Sequence, residues 1–260
     1  MKSQGVSLQR RPGESTILAG RLRRGGFSRV EPAALQQVCG ISGPDLLALE
    51  KFWDRLTPDR YLLDGGKYRS RRHGCFILDR PGDELRAVRH RAHWQPREYN
   101  ALHGGLQRWF DPLERAFARA PAFRDLMTGL GRVFARRKRV ARWYIEAHQF
   151  RIHTAYGIGR PTPEGAHRDG VDFVAIVLMG RRNVLGGETR VFKAQGSTGV
   201  RFTLAEPGAA LLLDDAIVVH ETTPIQAISN EAIGYRDTLV LTYRAEGFQS
   251  MRGVRKPRDR

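Results

Sequence analysis

Cysteine and long apolar runs are scarce in this 260-residue sequence, and lysine is rare beside arginine. Cys39 and Cys75 are its only cysteines and lack CxxC spacing, which excludes a disulfide framework and a cysteine zinc site and suits a reducing, cytoplasmic compartment. The longest uninterrupted apolar run, Phe173 to Met179, is far shorter than the ~20 residues of a membrane span. Nothing near the N-terminus has the apolar centre of a secretory signal. Internal repeats and low-complexity core segments are also missing. What is abundant is apolar residue content, 41%, too high for a disordered chain and enough for a packed core.

Positive charge is plentiful and unevenly placed. Of the formal +17, residues 1–30, 132–142 and 252–260 together carry all but about one unit, almost entirely as arginine. Such segments fit either an anionic partner such as nucleic acid, reached through basic tails, or ordinary solvated faces. Stacking aromatics are not interleaved with these arginines, which favours the solvated reading.

Helical spacing appears first after Ser42, with Pro44 near the first turn and Leu46, Leu49, Trp53 and Leu56 on one side. The turn at Asp64-Gly65-Gly66 leads into residues that alternate as strands do. A second helical region is expected over about 105–140, with Phe123, Leu126 or Met127, Leu130 and Phe134 facing a core. Beyond Arg142 the period becomes two, with strands expected over 143–155, 171–179, 188–193, 209–219 and 237–244. Short strands separated by Gly/Pro turns indicate a sandwich, jelly roll or small barrel, mainly β with flanking α-helices. The expected layout is a flexible basic tail (1–40), a helical N-terminal part (41–142), a β core (143–247) and a basic C-terminal tail (248–260). Residues 41–247 are read as one structural domain.

The chemistry concentrates in PTPEGAHRDG. In an extended segment side chains at i and i+2 share a face, so His167 and Asp169 can converge on one ion. His220 ends the apolar stretch ALLLDDAIVVH, and Arg236 opens the last strand. Two His and one carboxylate form the facial triad of non-haem Fe(II) oxygenases, which leaves three positions for a cosubstrate and dioxygen. An arginine pointing inward from an apolar strand needs an anion, and the far carboxylate of a cosubstrate would supply it. Asp214 and Asp215 are expected to support the site or its turn. His90 and His93, with no carboxylate pattern beside them, read as structural or surface histidines.

The segments PTPEGAHRDGVDFVAIVLMGRRNVLGGETRV, LLLDDAIVVHETTPI and RDTLVLTY resemble the bacterial 2-oxoglutarate/Fe(II) dioxygenases that include L-isoleucine 4-hydroxylase and the BsmA-like proteins. The resemblance runs from about Asp59 to about Arg244. It implies a double-stranded β-helix, a cupin-like jelly roll, with iron held by His167, Asp169 and His220. It implies 2-oxoglutarate binding by Arg236, with Arg244 as a rival of the same strand parity, and O2 as the third reactant. Oxidative decarboxylation to succinate and CO2 would accompany hydroxylation of a small molecule, a free L-amino acid or derivative. Gln149 and Arg151, on one face of the strand before the metal motif, would bind the cosubstrate or form a polar outer face. Arg69, Arg71 and Arg72 would pair with a substrate carboxylate or form a solvated cluster, and Glu188 would bind a substrate amine or simply follow a hairpin turn. Thr242 stands where the Arg-x5-Arg pattern of nucleic-acid demethylases would need arginine, so an oxygenase acting on nucleic acid or protein is the weaker alternative. A non-enzymatic metal-binding jelly roll is the other.

Overall fold

The structure is a computed structural model and describes residues 13–251 apart from Ser197 and Asn230. The chain opens with α1 (Glu14–Gly25), β1 (Phe27–Val30), α2 (Pro32–Cys39), α3 (Gly43–Leu47) and a 3-10 turn over Glu50–Arg55. Next come β2 (Thr57–Pro58), β3 (Arg69–Asp79) and β4 (Glu84–Ala87), a long irregular stretch, α4 (Arg115–Arg119) and α5 (Pro121–Arg137). The remainder is β5 (Arg142–His153), β6 (Phe173–Arg182), β7 (Val184–Gly186), β8 (Glu188–Lys193) and β9 (Gly199–Thr203). Then follow β10 (Ala210–Asp214), β11 (Val218–Thr222), β12 (Ile225–Ala227) and β13 (Tyr235–Arg244).

The large sheet runs β1-β10-β6-β13-β5-β3-β2, with β4 paired to β3, and the smaller sheets are β11-β8-β9 and β12-β7. Every one of these pairings is antiparallel. Period-two alternation decides what each face of the large sheet does. Phe173, Ala175, Val177 and Met179 of β6, with Leu239, Leu241 and Tyr243 of β13, belong to the core shared with the helices. Val174, Ile176 and Leu178 point the other way and meet Val191 and Val218 of the small sheet. That second interior is the jelly-roll core, and the site lies within it.

α5 seals the helical face. Its Phe123, Leu126, Met127, Leu130 and Phe134 are all fully buried, and such side chains contribute roughly 1.5–3 kcal/mol each. Phe134 stacks on Phe173 with ring centroids 4.7 Å apart. Gly129 allows α2 to come close, since a Cβ there would lie 2.5 Å from Cys39 Cα.

Several boundaries differ from the sequence reading. Residues 13–40 are not a tail: Leu18, Leu22, Val30, Leu35 and Cys39 are buried, and β1 completes the sheet edge beside β10. In α1 Leu18 and Leu22 form an apolar i, i+4 pair, and Arg21, Arg23 and Arg24 around Leu22 mask an amphipathic helix. The helical N-terminal part (41–142) contains β2, β3 and β4, and the helix expected from about 105 begins only with α4 at Arg115, after irregular chain. The expected strand 209–219 is two strands, broken where Ile217 N donates to Asp214 O. At the other end, Gln249 is buried, so the expected C-terminal tail begins with chain packed on the fold. Residues 1–12 and 252–260 of the two basic tails lie outside the described residues.

Of the six cations in 132–142, four have acidic partners within the fold. Arg132 pairs with Asp83, Arg137 with Asp214, Lys138 with Asp172 and Arg142 with Asp79. Among the described residues no helix is long and apolar enough to cross a membrane.

Candidate active site

His167 and His220 form an antiparallel bridge, so residues far apart in the chain place their rings 4.6 Å apart. Asp169 turns back toward them, its Oδ2 4.0 Å from His220 Nε2. One ligand atom from each of the three lies within 4.8 Å of the others. His167 Nδ1 donates to Gly165 O at 3.0 Å, which leaves Nε2 with its lone pair for a metal. Asp215, in the turn between β10 and β11, accepts from the backbone N–H groups of Asp169, Gly170 and Val171 at 3.0, 2.8 and 3.0 Å. It thereby holds the loop that carries Asp169. Gly170 is required at φ +74°, and a Cβ there would come within 2.4 Å of the Tyr99 ring.

Electrostatics favour a cation here. Burial pushes the Asp215 carboxyl up to about 7, with the charge of Asp169 adding to the effect. Burial raises Asp169 too, opposed by His167. Two carboxylates crowded at low dielectric are relieved by a divalent ion. Two neutral imidazoles and one carboxylate suit Fe(II) by their chemistry.

The cavity beside this cluster holds about 860 Å³ of space, its open mouth included. Arg236 of β13 lines it, with only 3% of its surface exposed. Its Nε and Nη2 are buried without a hydrogen-bond partner, and burial lowers the guanidinium to about 10, with the nearby Arg181 adding to the shift. A buried, unpaired guanidinium fits the far carboxylate of 2-oxoglutarate. Arg244 shares its parity but sits eight residues further along β13, ~27 Å away at strand rise, and does not line the cavity.

Strand parity also sorts the other expected residues. His148, Phe150 and Ile152 of β5 face the cavity, whereas Gln149 and Arg151 do not. Gln149 is fully buried on the helix side, where Ile145 and Ala147 of the same strand join the core. Arg151 pairs with Asp237 and Asp54. Arg72 donates to the backbone carbonyls of Arg55 and Pro112, and Glu188 is held by Arg190. Neither reaches the cavity. Arg69 and Arg71 do. Arg69 takes Asp59 as a close partner at 2.8 Å, leaving Arg71 3.7 Å from the same carboxylate. The Arg71 guanidinium is gripped between the rings of Phe110 and Phe150, 3.6 and 4.3 Å from their centroids.

Sequence reasoning missed the groups that support Arg71. His73 Nε2 and His93 Nδ1 donate to one oxygen of Glu146 at 2.9 and 2.7 Å, and His148 stacks on His73. Arg71 Nη2 donates to His148 Nδ1 at 2.6 Å, so the other nitrogen of that ring keeps its proton. The four groups are close enough to suggest a second metal, but this tautomer withdraws His148 as a ligand. They form a hydrogen-bonded network instead. His93, which also lines the cavity, is held in this network, and its carboxylate comes from a strand 53 residues away (93 to 146). Gln95, Asn100, His103 and Arg108 reach the cavity from the irregular stretch 88–114. The signal available for them was the length of that stretch, because long unstructured segments in compact domains are usually functional.

The model of the 2OG-Fe dioxygenase family matches residues 50–242. A bsmA homolog from Methylobium petroleophilum PM1 is 51% identical over 95% of this chain and 99% of its own, with a TM-score of 0.87. IDO from Bacillus thuringiensis is 18% identical over 95% and 99%, TM-score 0.72. The Fe(II)/α-ketoglutarate-dependent dioxygenase TqaL is 22% identical over 89% and 87%, TM-score 0.67. These two show the fold alone. A search of curated proteins finds no match. With the matched segment containing both histidines, Asp169 and Arg236, the chain belongs to the 2OG-Fe dioxygenase family, enzymes that use Fe(II), 2-oxoglutarate and O2.

Proposed function

We propose that this dioxygenase hydroxylates an aliphatic C–H bond of a free α-amino acid or close derivative. In this reading His167, Asp169 and His220 hold iron, and Arg236 binds the far carboxylate of 2-oxoglutarate. One oxygen atom of O2 ends in succinate and the other in the hydroxyl group, with CO2 released. Iron, when bound, supplies the oxidising chemistry. The chain's own residues seat the two carbon substrates and separate their charges.

One observation carries the substrate class: buried side-chain atoms without hydrogen-bond partners, on groups of both signs, line the same cavity. Arg71 Nε and Arg108 Nε lack partners on the cationic side, and Glu164 Oε2 lacks one on the anionic side. Buried polar atoms without partners are rare and costly. A carboxylate and an ammonium on one small molecule would satisfy both. Arg71 is restrained by its two aromatic neighbours and by His148, so it can meet a carboxylate without further ordering.

The test is succinate formation by protein loaded anaerobically with Fe(II), then given 2-oxoglutarate, oxygen and a panel of free L-amino acids. Stimulation by one or a few of them is expected, with a product heavier by one oxygen. Slow succinate release that no amino acid stimulates would remove the amino-acid assignment.

A further inference from the structure

Gln95 belongs to the irregular stretch 88–114, away from the strands that carry the proposed iron ligands. Its Nε2 donates to Asp169 Oδ1 at 3.1 Å. Its Oε1 accepts from Arg108 Nη2 at 2.9 Å and from Asn100 Nδ2 at 3.3 Å. A guanidinium has no acceptor atom, so the carboxamide can face Arg108 only with its oxygen and must present its NH2 to Asp169. All three side chains are buried.

The backbone around Asp169 is already held. Asp215 accepts its N–H, and Gln249 Nε2 donates to its carbonyl at 3.0 Å. Rotation of the carboxylate is what remains free, and the bond from Gln95 removes it. Oδ1 is engaged on the Gln95 side while Oδ2 faces His220.

We infer that Gln95 is a positioning residue of the iron site: it occupies Oδ1 so that Asp169 offers Oδ2 alone, and Arg108 fixes the orientation in which it does so. The inference rests on His167, Asp169 and His220 being the metal ligands. Its consequence is a coordination count. A single oxygen from Asp169 leaves three positions for the cosubstrate and dioxygen, whereas a carboxylate binding through both oxygens would remove one.

Co(II) titration in the absence of 2-oxoglutarate and substrate tests this without turnover. Gln95→Met keeps length and removes the donor. The expected result is a Co(II) affinity lower by about 10–100-fold, the usual effect of losing an outer hydrogen-bond partner, and a changed visible absorption band. Thermal unfolding of the metal-free protein shows whether the variant is folded. Should it not be, Arg108→Gln serves instead, since it frees the carboxamide to rotate and is expected to shift the same band. Parent-like affinity and absorption in the folded variant would overturn the inference. His167→Ala in the same titration separates the two levels: retained Co(II) binding there means the ligand assignment itself is wrong.

Discussion

His167 and His220 each donate a backbone hydrogen bond to the other's carbonyl, at 3.0 and 2.9 Å, and so close the jelly-roll interior around their two rings. The bridge is made by the main chain, so it survives loss of either imidazole. His167→Ala and His220→Ala are therefore expected to fold with near-parent thermal midpoints. They should lose metal affinity by more than about a hundredfold, since outer-shell losses alone cost ~10–100-fold. Metal content after dialysis measures this, and normal iron retention in either variant would contradict the ligand set.

Arg236→Ala should raise the KM for 2-oxoglutarate by about 10–100-fold, the value of a hydrogen-bonded charge pair in a buried site. Arg244→Ala, at the far end of the same strand, should leave it within about twofold of the parent, an allowance for surface charge. Succinate formation against 2-oxoglutarate concentration reads both. The reverse order would move the cosubstrate along β13.

Substrate binding should divide between two residues of opposite charge. Arg71→Gln is expected to raise the KM for the amino acid by about tenfold or more, with the KM for 2-oxoglutarate unchanged. Glu164→Gln should narrow the preference for a substrate with a free amine over its deaminated analogue. Were neither ratio to move, the substrate would lie elsewhere in the cavity.

Acid stability should reveal the buried network. Burial pushes the His93 imidazole from 6.5 down to about 4, although Glu146 pulls the other way. His73 and His148 are depressed by burial as well, and Arg71 and Arg108 face the same cluster. A histidine depressed in the folded state takes up its proton first when unfolded. Stability is thus complete above pH 6.5 and falls as the pH drops toward 4, by up to ~3 kcal/mol from His93 alone. His93→Asn keeps a donor for Glu146 but cannot titrate, so its urea midpoint should fall less over that interval. Equal slopes for parent and variant would refute the effect.

Much of the site was legible in advance because strand parity and short motifs are local. His167 and Asp169 stand two apart in one short motif and both line the cavity, and Arg236 points inward with Thr238, Val240 and Thr242 by strand parity. The same rule could place Gln149 and Arg151 together, but which side of β5 faced the cavity depended on where the helices packed. α5 covers the face with Ile145 and Ala147, and that choice excluded them.

Residue chemistry and local periodicity thus carry the three proposed iron ligands, the arginine proposed for the cosubstrate and most strands. Tertiary packing alone decided which arginines are paired, because Asp59, Asp83, Asp214 and Asp237 meet their partners only after the chain folds. It also decided the placement of Gln95, Arg108 and the Glu146 network. A segment without a repeating pattern holds no local signal of its direction, so its side chains acquire roles only when distant strands enclose them.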